Sequence, residues 1–245
     1  MKQLLFLSVM IGILLGTSSI FAQGITGNGR VGQQARRVTS FTGIEVGGAF
    51  DVVVKQGNRF DVIVEADENL FDVIETSVSD DKLKITTNKS IHKSTKMKVY
   101  VTLKELNYVN VSGAASLKGE SHFTTSSKMD LQTSGAADLN LDLEAPSLKC
   151  STSGSSDMIL KGITKQIEIQ TSGSSDFNGK ELKAEMGAIS SSGSSDIIIH
   201  LSKAAVASAS GSSDIHILGA PSQTNFNTSG SAEVHVDKVK ASEEE

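Results

Sequence analysis

The sequence predicts an all-β protein, a right-handed parallel β-helix with coils of about 19 residues. Three observations predict it. A Ser-Gly step recurs seven times, with its glycine at Gly113, Gly135, Gly154, Gly173, Gly193, Gly211 and Gly230, at spacings of 22, 19, 19, 20, 18 and 19. Around each copy, apolar and polar residues alternate with period two, the signature of a strand with one buried face. No segment carries helical periodicity; β-branched residues abound, Trp is absent and Pro occurs twice.

In chain order, the first element is "MKQLLFLSVMIGILLGTSSIFAQG": a charged Lys2, an apolar run from Leu4 to Leu15, and a small residue, Ala22, at a cleavage point. This is a secretory signal peptide over 1–22, since the run is too short to span a bilayer and no stop-transfer charges follow. No cysteine follows the run, which argues against a lipid anchor, and no later stretch is long and apolar enough to cross a membrane. The expected product is exported, in the periplasm, at the cell surface or in the medium. Removing 22 residues takes away one lysine and no acid, so the net charge moves from −5 to −6. That balance argues against nucleic acid and against an anionic membrane surface as partners.

Residues 23–40, "QGITGNGRVGQQARRVTS", read as a flexible lead. Residues 41–110 contain strands without the 19-residue beat: "FDVIVEA", "KLKITT" and "MKVYVTL" alternate well, and "SDDK" at 79–82 reads as a hairpin turn. A solenoid exposes a strand edge at its end, so this N-terminal β region is expected to cover that end. "VGGAFDVVV" reads as a divergent eighth copy, with Gly48 in the glycine place and Asp51 in the acidic one.

Residues 111–239 form the repetitive coils. Aligned on the acidic position, the next residue is Leu139, Met158, Phe177, Ile197, Ile215 or Val234, and the one three beyond it is Leu141, Leu160, Gly179, Ile199, Ile217 or Val236. Upstream, the seventh residue before the acid is Val109, Leu131, Cys150, Ile169, Ile189, Ala207 or Phe226. The fifth before is Val111, Thr133, Thr152, Thr171, Ser191, Ala209 or Thr228. All four sets face inward. One such coil cannot bury its own apolar face; stacking does so, at the ordinary strand spacing of about 4.8 Å. Right-handedness follows from the chirality of parallel β connections. Each copy is then strand, corner, strand. Glycine supplies a positive φ at the corner, small residues let corners stack, and hydroxyls and the aspartate satisfy backbone groups left by the bend. The final "SEEE", within 240–245, is an acidic, solvated tail.

The pattern "FTGIEVGGAFDVVVKQGNRFDVIVEADENLFDVIETSVSDDKLKIT" followed by repeated "SGSSD" resembles the head GIN domain family over about Phe41 to Val239. This is an exported bacterial family, common in Bacteroidetes, described as autotransporter adhesin heads. The resemblance implies a right-handed β-helix of pectin-lyase type and a role in adhesion. The chain carries no membrane-barrel translocator of its own.

Asp138, Asp157, Asp176, Asp196, Asp214 and Glu233 form an acidic ladder, with Ser116 at its other end. Calcium is one reading. Yet two unit charges about 4.8 Å apart in water repel by only roughly 0.9 kcal/mol, less with salt, so no cation is required and the ladder reads as structural corner. His216 and His235 share one register position between Asp214 and Glu233; zinc is conceivable, but polar surface suffices. His200 falls in another register, and His92 and His122 lie outside it. Cys150, the sole cysteine, reads as a core residue and not a nucleophile, and it excludes an intramolecular disulfide. No catalytic cluster breaks the repeat, so catalytic, cofactor and metal residues are expected to be none. The sequence therefore points to a non-enzymatic binding protein for an unknown glycan or surface protein. A structural envelope protein is the alternative, with a polysaccharide-cleaving β-helix enzyme a further one.

Overall fold

A computed structural model describes residues 24–237. The signal peptide assigned to 1–22 and the acidic tail at 240–245 lie outside the described residues. The chain is a β-solenoid of about seven turns, with one turn of 3-10 helix at Glu68–Leu70.

The head holds strands β1 (Ile25–Thr26), β2 (Val31–Arg36), β3 (Gly43–Gly48), β4 (Asp51–Gln56), β5 (Asp61–Asp67), β6 (Ile74–Ser79), β7 (Lys82–Thr87), β8 (Ile91–Lys93) and β9 (Met97–Leu103). The stack holds β10 (Tyr108–Gly113), β11 (Ser116–Thr124), β12 (Met129–Gly135), β13 (Asp138–Gly154), β14 (Asp157–Gly173), β15 (Asp176–Gly193), β16 (Asp196–Gly211), β17 (Asp214–Leu218), β18 (Gln223–Gly230) and β19 (Glu233–Asp237). The repeat anticipates two or three short strands per coil. Instead β13 to β16 each run 16 to 18 residues, bending without breaking their ladders.

The stack is parallel throughout. β13 pairs β14 residue for residue from Asp138↔Asp157 to Gly154↔Gly173. Departures from a 19-residue spacing are absorbed as register shifts away from the corner. One lies between Lys118 and His122, and another between Ile159 and Lys161. In the second, Gly179 takes an inward position, and a Cβ there would fall 2.8 Å from both Phe177 and Ile199. The Phe177 ring fills the space that a larger residue would need.

β3 and β4 form the divergent eighth copy: Gly48 pairs with Gly113 and Asp51 with Ser116. Beyond them the pairing changes. On one face β3 pairs β7 in parallel, and β7 pairs β6 as an antiparallel hairpin. Its turn puts Asp80 and Asp81 at φ 51° and 58°, a left-handed conformation that aspartate tolerates. On the other face β4 pairs β9 in parallel, β9 pairs β5 antiparallel, and β5 pairs β2 antiparallel.

Within the lead, residues 25–36 hold β1 and β2. β2 makes six registered pairs with β5, and β1 pairs β8. The buried Asp67 carboxylate holds this segment, accepting from the amides of Gly29 (2.6 Å) and Thr95 (2.7 Å). Burial opposes its ionisation, but the amides of Thr95 and Gly29 outweigh that and hold its pKa below the usual carboxylate value.

The core is one continuous cluster along the axis. Leu139, Met158, Phe177, Ile197 and Ile215 are all buried, as are Leu141, Leu160, Ile199 and Ile217. Each contributes roughly 1.5–3 kcal/mol of hydrophobic stabilisation before entropy costs. Cys150 sits in that column fully buried, and burial pushes its thiol pKa well up. It is an inert core side chain. The last coil differs: Val234 is half-buried and Val236 is 37% exposed.

Candidate functional site

The corner is built by close approach of backbones. All eight corner glycines have φ between 76° and 113°. A Cβ on Gly154 would lie 2.6 Å from the Gly135 carbonyl oxygen, and one on Gly173 2.6 Å from that of Gly154. The next amide bonds to the coil below: Ser155 N donates to Gly135 O at 2.7 Å, and Ser174 N to Gly154 O at 2.8 Å. Glycine is thus required twice, for its φ and for its missing side chain.

The serine just before the aspartate faces inward. Ser156, Ser175, Ser195 and Ser213 are fully buried. Ser156 Oγ donates to Ser153 O at 3.0 Å, and Ser175 Oγ to Ser172 O at 3.0 Å. That leaves their lone pairs for the inward threonines, so Thr133 donates to Ser156 (2.9 Å) and Thr152 to Ser175 (3.0 Å). Thr171 completes the pattern with Ser191 and Ser195. A line of satisfied hydroxyls therefore runs inside the apolar core.

The aspartates do stack. Asp138 pairs with Asp157, Asp157 with Asp176, Asp196 with Asp214 and Asp214 with Glu233. Asp138, Asp157, Asp176 and Asp196 are exposed and Asp214 is partly so. Asp196 N donates to Asp176 Oδ1 at 3.1 Å. At Asp157, burial and then the charges of Asp176 and Asp138 raise the pKa, against a hydrogen bond from the Asp176 amide. Among the described residues, no three His, Cys, Asp or Glu side chains converge where a metal ion could be held. His216 and His235 stack with ring centroids 5.0 Å apart. Each has its own carboxylate: His235 Nε2 is 2.9 Å from Glu233, and His216 Nδ1 is 3.8 Å from Asp237. His122 lies apart from them, 2.8 Å from Asp142.

Across the corner from the acids, the strands ending at Gly113, Gly135, Gly154, Gly173 and Gly193 present a flat face. Two outward columns line a groove of about 430 Å³. One is Asn110, Gln132, Ser151, Gln170 and Ser190; the other is Ser134, Ser153, Ser172 and Ser192. No charged side chain lines it. Gln132 and Gln170 are each oriented by a carboxylate two residues upstream, donating to Asp130 at 3.0 Å and Glu168 at 2.8 Å. Their carbonyl oxygens and second N–H groups are left for another partner. A second groove of about 450 Å³ on the same side is more apolar, lined by Met186, Ala188, Ala204 and Val206 together with Lys128 and Glu168.

Neither tyrosine offers a free stacking platform. The Tyr100 ring lies under Lys98 Nζ at 5.0 Å, with its hydroxyl donating to Glu65 at 2.9 Å, and the Tyr108 ring lies under Lys82 Nζ at 3.9 Å. Among the described residues, no helix is long and apolar enough to cross a membrane.

Fold and surface together define a parallel β-solenoid with an antiparallel N-terminal head and long, regular side-chain columns. The family model described as "Putative auto-transporter adhesin, head GIN domain" matches residues 40–221, and the chain belongs to that family. Solved structures agree on the fold. A "putative adhesin" from Bacteroides fragilis superposes with TM-score 0.83 at 21% identity, covering 87% of this chain and 100% of that one. A "putative adhesin" from Parabacteroides merdae does so with TM-score 0.70 at 20% identity, covering 89% and 100%. A "putative lipid binding protein" from Parabacteroides distasonis gives 0.68 at 21%, covering 88% and 100%. No curated protein matches the chain.

Proposed function

We propose that this chain is an exported, non-enzymatic binding module of the adhesin type, and that it holds a neutral, hydroxyl-rich polymer along the groove that no charged side chain lines. The observation that carries this reading is the groove of about 430 Å³, whose amides and hydroxyls repeat once per coil without an intervening charge. A repeating hydrogen-bonding surface suits a repeating ligand, and a glycan chain laid along the axis meets one set of donors and acceptors per coil. Recognition through hydrogen bonds fits a surface without a free tyrosine platform. The acidic ladder across the corner disfavours polyanions. Membership of an adhesin-head family supports binding over cutting.

The test is retention of the protein on immobilised neutral and acidic polysaccharides, with the eluate assayed for released fragments. Retention on a neutral polysaccharide is expected, without fragments, and loss of that retention in the Gln132→Ala/Gln170→Ala variant. Released fragments would overturn the non-enzymatic reading. Failure on every polysaccharide would overturn the glycan and leave a protein ligand or a structural envelope role.

A further inference from the structure

The two ends of the solenoid are finished differently. At the head the ladders turn antiparallel, β7 with β6, β9 with β5 and β5 with β2, and among the described residues β6 and β2 are its edge strands. At the tail, among the described residues, β18 pairs only with β16 and β19 only with β17. The free side of each is a row of backbone donors and acceptors, a template for another strand.

The two tail strands are not equally guarded. The outward residues of β19 are Glu233, His235 and Asp237, and charges on an edge discourage pairing with a like strand. β18 reads "QTNFNTSG": eight residues without a charge or a proline. Its outward Asn225 and Asn227 are exposed, and so are Thr224 and Thr228, although they sit over the buried Ala205 and Ala209. Phe226 is the bulkiest member of its column. It stands over the buried Ala207 and is only half-buried itself. The largest apolar side chain of that column thus lies where the described residues place nothing above it.

We propose that β18 is the interface of a tail-to-tail homodimer, pairing with β18 of a second copy about a two-fold axis near Phe226. A two-fold operation sets the same strand antiparallel to itself, so both free edges are satisfied in one closed contact. Centring on Phe226 brings the two rings together on the inward side, where each covers the other's open end. Asn225 then faces the partner's Asn227 on the outer side, with no like charges opposed. A second copy fits this edge because it is neutral and self-complementary, whereas the head's edge strands β2 and β6 carry Arg36 and Glu75.

The experiment is sedimentation velocity on the purified protein across a wide concentration range. It is repeated on Asn225→Lys/Asn227→Lys, on Asn225→Glu/Asn227→Glu, and on an equimolar mixture of the two, with circular dichroism confirming that each variant keeps its β spectrum. The unmodified protein is expected to sediment at twice the monomer mass when concentrated. Each variant alone should remain a monomer, because like charges oppose across the pair, and the mixture should restore the dimer. An unmodified protein that stays monomeric throughout overturns the proposal and points to a tail covered by residues 238–245 or by a different partner. A lysine variant that still dimerises alone overturns it too, by placing any interface elsewhere.

Discussion

The head and the stack share one corner but support it with different physics. In the stack every corner rests on an identical corner below, so each glycine answers to the carbonyl of the previous one. At the head, Gly48 has the same positive φ, but the nearest atom to a Cβ there is the Phe50 ring at 3.7 Å. The repeated region is therefore constrained by its own copies. The unrepeated region is held by single-use devices: the β6–β7 hairpin, the β2–β5 pairing and the Asp67 carboxylate. Stacked copies share a geometry that no member can change alone, while the cap can be altered one device at a time.

The sharpest test of that difference is one substitution made in both places. Gly154→Ala puts a Cβ 2.6 Å from the Gly135 carbonyl at φ 84°, combining left-handed strain with a backbone collision. A cost of about 3–4 kcal/mol is expected, since strain alone amounts to about 1–3. Gly48→Ala carries only the strain, about 1–2 kcal/mol. Chemical denaturation measures both, and equal costs would erase the distinction.

Asp67→Ala probes the cap. It removes the acceptor of the Gly29 and Thr95 amides, which sit in exposed residues, at about 0.5–1.5 kcal/mol for each hydrogen bond, so a loss of about 1–3 kcal/mol is expected. Protease cleavage within residues 24–36 should rise before the stack melts. Because the folded pKa of Asp67 is depressed, its contribution is present above the unfolded pKa of about 3.9 and is lost as pH falls through the folded value.

The stack was far more legible in the sequence than the cap, and the reason is repetition. Each inward column appears several times, so one ambiguous residue such as Cys150 is read from its column. β2 is "VGQQAR", with no alternation, and becomes a strand because β5 offers it an edge. Asp67, in "VEADENL", looks like any surface acid, since the amides that bury it come from Gly29 and Thr95, far apart in the chain. The buried serines are an intermediate case. Ser156 reads as a corner hydroxyl that satisfies the bend's backbone, as its bond to Ser153 O does, and the same position is Ala115 and Ala137 in earlier coils, both buried, a substitution pattern that was the available sign of its burial. The uncharged groove could not be read as concave from sequence, because its shape depends on how side chains of five coils lie side by side.

The hydroxyl line inside the stack gives a smaller effect with a clear signature. Ser175→Ala removes the acceptor of Thr152 and the donor to Ser172 O, and should cost about 1–2 kcal/mol. Thr152→Val alone should cost about 1 kcal/mol. Combined, the two should cost less than their sum, because neither partner is left unpaired in the core. Strict additivity in denaturation would mean the hydroxyls act independently.

The smallest expected effect separates the regions by the sign of their pH dependence. Burial and the neighbouring Asp176 and Asp138 raise the pKa of Asp157, the reverse of Asp67. A carboxyl whose folded pKa exceeds its unfolded one binds its proton more tightly when folded. It therefore disfavours the fold at neutral pH and is relieved as pH falls from above the folded pKa towards about 3.9. Asp157→Asn removes that penalty, so the variant should melt slightly above the unmodified protein at pH 7, with the advantage vanishing at acid pH. Added calcium or chelator should leave both melting temperatures unchanged if the ladder is a stacked corner. If calcium instead raised the melting temperature of the unmodified protein and the asparagine variant lost that gain, the ladder would be a cation site, and the stack would depend on a ligand that the cap does not need.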